Sequence, residues 1–193
     1  VLALLIIISL AIHKKKMNVH VLTYGALCLS VGFVLSCIVL FRMPQGGSIT
    51  PAGYLPVMFF AYAFGPVYGL LAATAYGLLQ LVQGFYAMHP ISLLLDYILA
   101  YASLGLTGFF KKHLIPGMLV AGIAMLVFQT ASGMLFYADY APEGWNPFWY
   151  SLVYNGMTVG VNMLVCILIS CIKPLRRVMD RLHDQIQNKR LDQ

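Results

Sequence analysis

Charged residues are scarce in this chain of 193 residues, because Asp, Glu, Lys and Arg make up only 9% of it and hydrophobic residues make up 61%. That balance excludes an ordinary soluble domain and is typical of a polytopic membrane protein. The chain has no phosphate-binding loop, no HExxH and no GxSxG, so nothing in it indicates ATP binding or catalysis, and we expect no enzyme activity. The four cysteines lack metal-ligand spacing; we interpret them as small packing residues and expect no metal or cofactor.

Six apolar stretches are present, and each is a candidate membrane-spanning helix. They are Val19–Phe41, Tyr54–Phe64, Pro66–Val82, His89–Phe110, Leu114–Tyr137 and Phe148–Ile172, with Gly65-Pro66 separating the second from the third. The predicted fold class is therefore an all-α membrane bundle of six transmembrane helices, with a short extra apolar segment at the N-terminus.

Three regions follow from this pattern. Residues 1–16 combine an apolar segment with a basic stretch, residues 17–172 form the membrane domain, and residues 173–193 form a basic amphipathic tail. We expect that tail to lie at the cytoplasmic surface against anionic lipid. The first twelve residues fit the end of a signal-like segment, the end of an extra helix or a start-site artefact, and the sequence does not choose among these.

One carboxylate, Asp96, is the only Asp, Glu, Lys or Arg inside any of the six stretches. A charge at the centre of a spanning helix costs about 2.5–3.5 kcal/mol on insertion scales, so Asp96 needs a partner. Tyr97 follows Asp96 in the chain, and α-helical spacing places Ala100 and Ser103 on the same helix face as Asp96. Asp96 is either a structural residue paired with a donor or the anion of a binding site for a cation or hydrogen-bond donor.

Small residues predict two kinds of close contact. The stripe of Gly69, Ala73 and Gly77 predicts a helix packing face, and so do the pairs Ala26/Ser30 and Gly32/Ser36 in the first stretch. In the first loop, Gly46-Gly47-Ser48 either serves as a plain connector or leaves backbone N–H groups for a ligand or a neighbouring loop.

The basic residues predict the topology. With six spans, eleven of the twelve Lys and Arg residues fall on one side and only Arg42 falls on the other. The positive-inside rule then places both ends of the membrane domain in the cytoplasm, and loops 42–53, 83–90 and 138–147 outside. The net charge of +6 thus reflects topology in a lipid bilayer and does not indicate nucleic-acid binding. Several polar and aromatic residues would line an outward pocket: Asp96, Gln129, Tyr137, Tyr150 and Asn155.

Several segments carry a family resemblance: PQGGSIT (44–50), YLP (54–56), GPVYGLLAATAYGLLQ (65–80), HP…LLDYILAYASLGLTGFF (89–110) and GMLFYADYAPEGW…YSLVYNG (133–156). With them, the chain resembles the thiamine-specific S component of energy-coupling-factor vitamin transporters. The resemblance implies a six-helix bundle in the cell membrane that binds thiamine from outside. It also implies docking on a module of one transmembrane subunit and two ATPases.

The resemblance also implies roles for individual residues. Asp96, followed by Tyr97, takes the acidic position near the thiazolium, and Tyr137 takes an aromatic position that stacks on it. Tyr150 and Asn155 match positions that meet the aminopyrimidine. They lie about 140° apart on a helix, so one ligand reaches both only over the helix end or at an irregularity. Tyr86 and Gly133 also match lining positions. The chain departs from the family at Gln129, where some members have His, and in the first loop, where Gly47 or Ser48 stands in place of a Trp.

Docking and alternatives complete these expectations. Ala26 and Ser30 correspond to the small-residue motif with which the family docks on its transmembrane partner, and the stripe of Gly69, Ala73 and Gly77 is the alternative face. Other functions also fit: an S component for another vitamin such as riboflavin, a stand-alone proton-coupled carrier that uses Asp96, or a membrane scaffold. Asp96 has no acidic or basic relay partner in any span, which favours the S component over the proton-coupled carrier.

Overall fold

The computed structural model describes residues 19–44, 46–84, 86–87, 89–111 and 113–191, and this part of the chain is mostly helical. The long helices are α1 (Val19–Cys37), α2 (Leu55–Phe64), α3 (Pro66–Gln83), α4 (Pro90–Phe109, with internal irregularities), α5 (Leu114–Phe136), α6 (Pro147–Cys171) and α7 (Lys173–Leu191). A 3₁₀ turn, Ala138–Tyr140, follows α5. The N-terminal apolar segment and the proposed start of the membrane domain at Met17 lie outside the described residues.

Four of these helices are long and apolar enough to cross a membrane: α1, α4, α5 and α6. Helix α2 has ten residues, about 15 Å at 1.5 Å per residue, which is half the thickness of a bilayer core. Eight of those ten are buried, which places α2 inside the bundle. A helix that is apolar on all sides suits that interior position.

The break that the sequence predicts at Gly65-Pro66 is confirmed. Gly65 has φ +89°, a conformation that favours glycine, and Pro66 opens α3. The turn leaves the Ala63 carbonyl outside the regular helical pattern, and the side-chain amide of Gln187 donates to it at 2.8 Å. The ring of His183 stacks on Tyr62 with centroids 4.3 Å apart. Helix α7 is therefore attached to the end of α2 and is not a free tail.

Helices α3 and α4 approach backbone to backbone. A Cβ on Gly77 would lie 1.9 Å from the Tyr97 carbonyl oxygen, and a Cβ on Gly69 would lie 2.5 Å from the Ala61 side chain. Gly69, Ala73 and Gly77 are all buried, which confirms the predicted packing face. The alternative that this stripe docks an outside partner is wrong, because the stripe already faces α2 and α4.

The two small pairs of α1 have different surroundings. Gly32 and Ser36 are buried, and a Cβ on Gly32 would lie 2.9 Å from the Gly53 carbonyl. Ala26 and Ser30 are exposed. Only Gly32 and Ser36 belong to internal packing, and Ala26 and Ser30 lie on the outer surface of the bundle.

The first predicted stretch ends earlier than expected. Helix α1 stops at Cys37, and Phe41–Arg42 (β1) pairs antiparallel with Ser48–Ile49 (β2), so the predicted loop contains a short ribbon. Cys37 and Cys171 are exposed, whereas Cys166 is buried. The interpretation of all four cysteines as packing residues is therefore wrong for Cys37 and Cys171.

We expect Gly77→Ala to lower the free energy of unfolding by about 2–4 kcal/mol, because the new methyl group meets a backbone carbonyl that side-chain rotation cannot move away. Thermal and denaturant unfolding in detergent would measure the change. Gly160→Ala is the matched control, since nothing lies within 4 Å of a Cβ at Gly160. That control should be neutral or gain up to about 1 kcal/mol, and equal losses in both variants would contradict the close contact.

Candidate ligand-binding site

A cavity opens at one end of the bundle, where the β1–β2 ribbon and the ends of α4, α5 and α6 meet. It encloses about 830 Å³ of space between atoms when its open mouth is included. All nine residues that the sequence proposed for substrate binding line it: Ser48, Tyr86, Asp96, Tyr97, Gln129, Gly133, Tyr137, Tyr150 and Asn155. The structure thus brings the set together, and the part each residue plays in binding stays a prediction.

Asp96 lies in an irregular part of α4. The helix begins with an α-turn at Pro90–Leu93, which His89 and Ser92 cap reciprocally, and continues as a π-helix over Leu94–Leu99. Such wide turns are rare and occur frequently at functional sites. After Ala100–Ala102 the helix tightens to 3₁₀ geometry. The α-helical spacing that we used to place Asp96, Ala100 and Ser103 on one face does not hold here.

The partner of Asp96 is a residue that sequence reasoning missed. Ser132, fully buried on α5, donates its hydroxyl to Asp96 Oδ2 at 2.7 Å. Asp96 Oδ1 has no hydrogen bond within the described part of the chain, and Asp96 lines the cavity. Tyr97 does not contact the carboxylate through its hydroxyl, which donates to the Gly84 carbonyl at 3.0 Å instead. The carboxylate is thereby held from one side and open on the other.

Two tyrosines form an aromatic wall of the cavity. The rings of Tyr86 and Tyr137 stack with centroids 6.1 Å apart, and the Tyr137 hydroxyl donates to the Tyr86 carbonyl at 3.1 Å. A hydrogen bond with the Tyr140 side chain raises the pKa of Tyr86 above its ordinary value. Gly46 lies against the Tyr86 ring with φ +89°, and a Cβ there would be 3.0 Å from that ring.

Asn155 has a fixed orientation. Its Nδ2 donates to the carbonyls of Gln129 at 3.2 Å and Ser151 at 2.9 Å. Because both partners are acceptors, Nδ2 faces them and Oδ1 is left to accept from another group. Tyr150 lies in the first turn of α6, and α6 is regular throughout. Both residues therefore border the cavity from the end of a regular helix. This is the first of the two arrangements in which residues about 140° apart contact one ligand; the other was an irregular helix.

The ribbon is attached to α6 by Asn162, which is buried. Asn162 Oδ1 accepts from the Thr50 amide at 2.9 Å and the Thr50 hydroxyl at 3.1 Å, and Nδ2 donates to the Ser48 carbonyl at 2.8 Å. The Gly47 amide donates to the Tyr154 hydroxyl at 3.2 Å, and the Gly46 amide donates to the Met43 carbonyl. The alternative in which this loop leaves N–H groups free for a ligand is therefore wrong for Gly46 and Gly47.

Sequence reasoning did not assign several other lining residues to the site. Ser151 and Thr158 belong to the polar stripe that is visible on α6, and that spacing could have indicated them. Tyr101 follows Tyr97 by four residues, a second usable signal. Nothing in the spacing points to Tyr54, which precedes α2. The additional lining residues are Gly46, Gly47, Tyr54, Tyr101, Ser151, Tyr154 and Thr158.

Comparison with known proteins gives consistent matches. Residues 22–180 match the family described as thiamine transporter protein (Thia_YuaJ). The thiamine transporter ThiT of Bacillus subtilis strain 168 is 30% identical over 178 residues, covering 82% of this chain and 88% of that protein. ThiT of Lacticaseibacillus paracasei is 25% identical over 137 residues, covering 61% of this chain and 68% of the relative. The solved structure of ThiT from Listeria monocytogenes superposes with a TM-score of 0.73 at 26% identity, covering 84% of this chain and 96% of that one.

We expect Asn162→Ala to release the ribbon from α6, because Ser48 and Thr50 lose their buried partner. Unpaired buried groups destabilise by about 1–3 kcal/mol each, so the free energy of unfolding should fall by about 2–4 kcal/mol. Hydrogen exchange should speed up at the Thr50 amide. Asn188→Ala on the exposed face of α7 is the control, and unchanged protection at Thr50 in Asn162→Ala would show that the ribbon is held by other contacts.

Proposed function

The chain belongs to the thiamine transporter protein family, and from that membership we propose that it binds thiamine as the substrate-specific subunit of an ATP-driven energy-coupling-factor importer. The observation that carries the proposal is the position of Asp96, because this carboxylate lines the cavity together with aromatic rings. Thiamine carries a permanent positive charge on its thiazolium ring, and a neutral flavin does not. A carboxylate with one open oxygen, in an apolar setting, suits a cationic ligand.

We assign the two halves of the ligand to two parts of the cavity. The thiazolium lies by Asp96 and the aromatic wall of Tyr86 and Tyr137, where ring faces attract a cation. The aminopyrimidine lies by Tyr150 and Asn155, whose Oδ1 is free to accept from an amino group. Tyr97, Gln129, Gly133 and Ser48 complete the walls. Ring stacking, one charge pair and hydrogen bonds to the polar edge together provide specificity.

We place the cavity on the outer side of the cell membrane. Arg42 lies at the cavity end of the bundle. Lys111 follows the end of α4 that is away from the cavity, and α7, which follows the corresponding end of α6, carries Lys173, Arg177 and Arg181. The positive-inside rule supports a cytoplasmic location for the latter group. In this arrangement α2 and α3, together with the four longer helices, make up the six helices of residues 17–172. Residues 173–193 lie along the cytoplasmic surface of the membrane.

We assign docking of the energising module to α1. Its most apolar stretch is 11% buried, compared with 28% to 44% in the other three candidate spans. Ala26 and Ser30 are exposed and small on this helix, and small residues let two membrane helices approach closely. The transmembrane subunit of the module would cover this surface, and its two ATPases would supply the energy for import.

Replacing the carboxylate tests the ligand assignment. Asp96→Asn should weaken thiamine binding by about 1–3 kcal/mol, which is the range for a charge-assisted contact. The amide keeps the shape of the side chain, so the protein should still fold. Titration calorimetry on protein from thiamine-free medium measures the dissociation constant. Asp139→Asn, in the exposed 3₁₀ turn, is the control: it also removes one carboxylate and should leave the dissociation constant unchanged. Unchanged affinity in Asp96→Asn would remove Asp96 from the site.

Bulky substitutions on α1 test the docking surface. Ala26→Trp or Ser30→Trp should leave thiamine binding intact and abolish uptake in cells that contain the module, because the indole prevents close helix contact. Leu168→Trp, at a 59% exposed position on α6, should leave both properties unchanged. The readouts are calorimetry, uptake and co-purification with the module's transmembrane subunit. Normal transport by both α1 variants would place the partner on another face.

A further inference from the structure

Three buried side-chain atoms in the described part of the chain have no hydrogen-bond partner: Thr130 Oγ1, Ser151 Oγ and His183 Nε2. Of these three residues, only Ser151 lines the cavity. Its side chain is 2% exposed, so bulk water does not compensate the hydroxyl. A buried polar group without a partner is unfavourable for folding and calls for an explanation.

The other hydroxyls of α6 show that Ser151 is an exception. Thr158 donates to the Tyr154 carbonyl at 3.1 Å, and Ser170 donates to the Ile167 carbonyl at 2.8 Å. These bonds within the helix are the usual solution for a Ser or Thr in an apolar setting. Ser151, on the same helix and equally buried, makes no such bond.

Ser151 lies where α6 approaches α5 closely, at the edge of the cavity. It faces Gly133 on α5, where a Cβ would lie 2.6 Å from Ser151 Oγ and 3.4 Å from Asn155 Nδ2. Glycine therefore lets α5 and α6 approach closely at this point, and a larger residue at position 133 would clash with the hydroxyl. Ser151 and Asn155 lie one turn apart and border the same opening, which belongs to the cavity.

We propose that Ser151 Oγ is a ligand-binding group that, together with Asn155, recognises the polar edge of a heteroaromatic ring. Asn155 Oδ1 is an acceptor, because Nδ2 is occupied by two carbonyls. The Ser151 hydroxyl provides a donor beside it. An acceptor next to a donor complements an amino group next to a ring nitrogen. This inference rests on the proposed function, since the aminopyrimidine of thiamine has such an edge.

The proposal predicts opposite effects on stability and on affinity. Ser151→Ala removes a hydroxyl that has no partner in the free protein, so the thermal midpoint without ligand should stay the same or rise. The same variant removes a neutral hydrogen bond in the complex, so the dissociation constant for thiamine should increase about 2- to 10-fold. A residue with a purely structural role would not separate the two readouts in this way.

Thr130→Val is the matched control. Thr130 is equally without a partner and buried, but it lies outside the cavity lining. Its substitution should leave thiamine affinity unchanged. If Ser151→Ala does not fold, Ser151→Cys keeps the size and replaces the hydroxyl by a weak donor; it should bind more weakly as well.

Wild-type titration with thiamine comes first and separates the two levels of inference. Failure of wild-type protein to bind thiamine overturns both the proposed function and this inference. Wild-type binding with unchanged affinity in the Ser151 variants overturns only the role of Ser151. An equal loss of affinity in Thr130→Val would also count against it, because the effect would then come from general loosening of the bundle.

Discussion

A carboxylate inside an apolar bundle is stable only if the protein supplies the polar contacts that lipid cannot, and the position of Asp96 follows from this requirement. Ser132 on α5 provides one contact, and the π-helix of α4 places Asp96 and Tyr97 at the cavity. The π-helix in turn depends on α3, because Gly77 lets the Tyr97 carbonyl approach without a side chain between them. The Asp96 carboxyl group is therefore supported by three helices.

The cavity walls come from two different sources. Regular helices provide Gln129, Gly133 and Asn155, and the ribbon and connecting segments provide Tyr86 and Ser48. The irregular parts are attached to the helices by side-chain hydrogen bonds to backbone groups, which buried backbone without regular partners needs. A ligand that fills the cavity contacts both kinds of wall.

The sequence predicted the helices and the members of the site better than their connections. Apolar length and the Gly65-Pro66 signal were sufficient to locate the helices, and the polar positions within them converge on one cavity. It did not predict the π-helix or the partnership of Ser132 with Asp96, because both depend on how α3, α4 and α5 pack. The sequence did not predict the ribbon, since two-residue strands held by Asn162 leave no alternating pattern.

The bond between Gln187 and the Ala63 carbonyl joins groups 124 residues apart in the chain. During synthesis at roughly 5–20 residues per second, the carbonyl is made about 6–25 s before its partner. Over that interval the end of α2 is incomplete, and water or a headgroup at the membrane surface has to satisfy it. The break between α2 and α3 is therefore completed only after α7 has been synthesised and has packed against the end of α2.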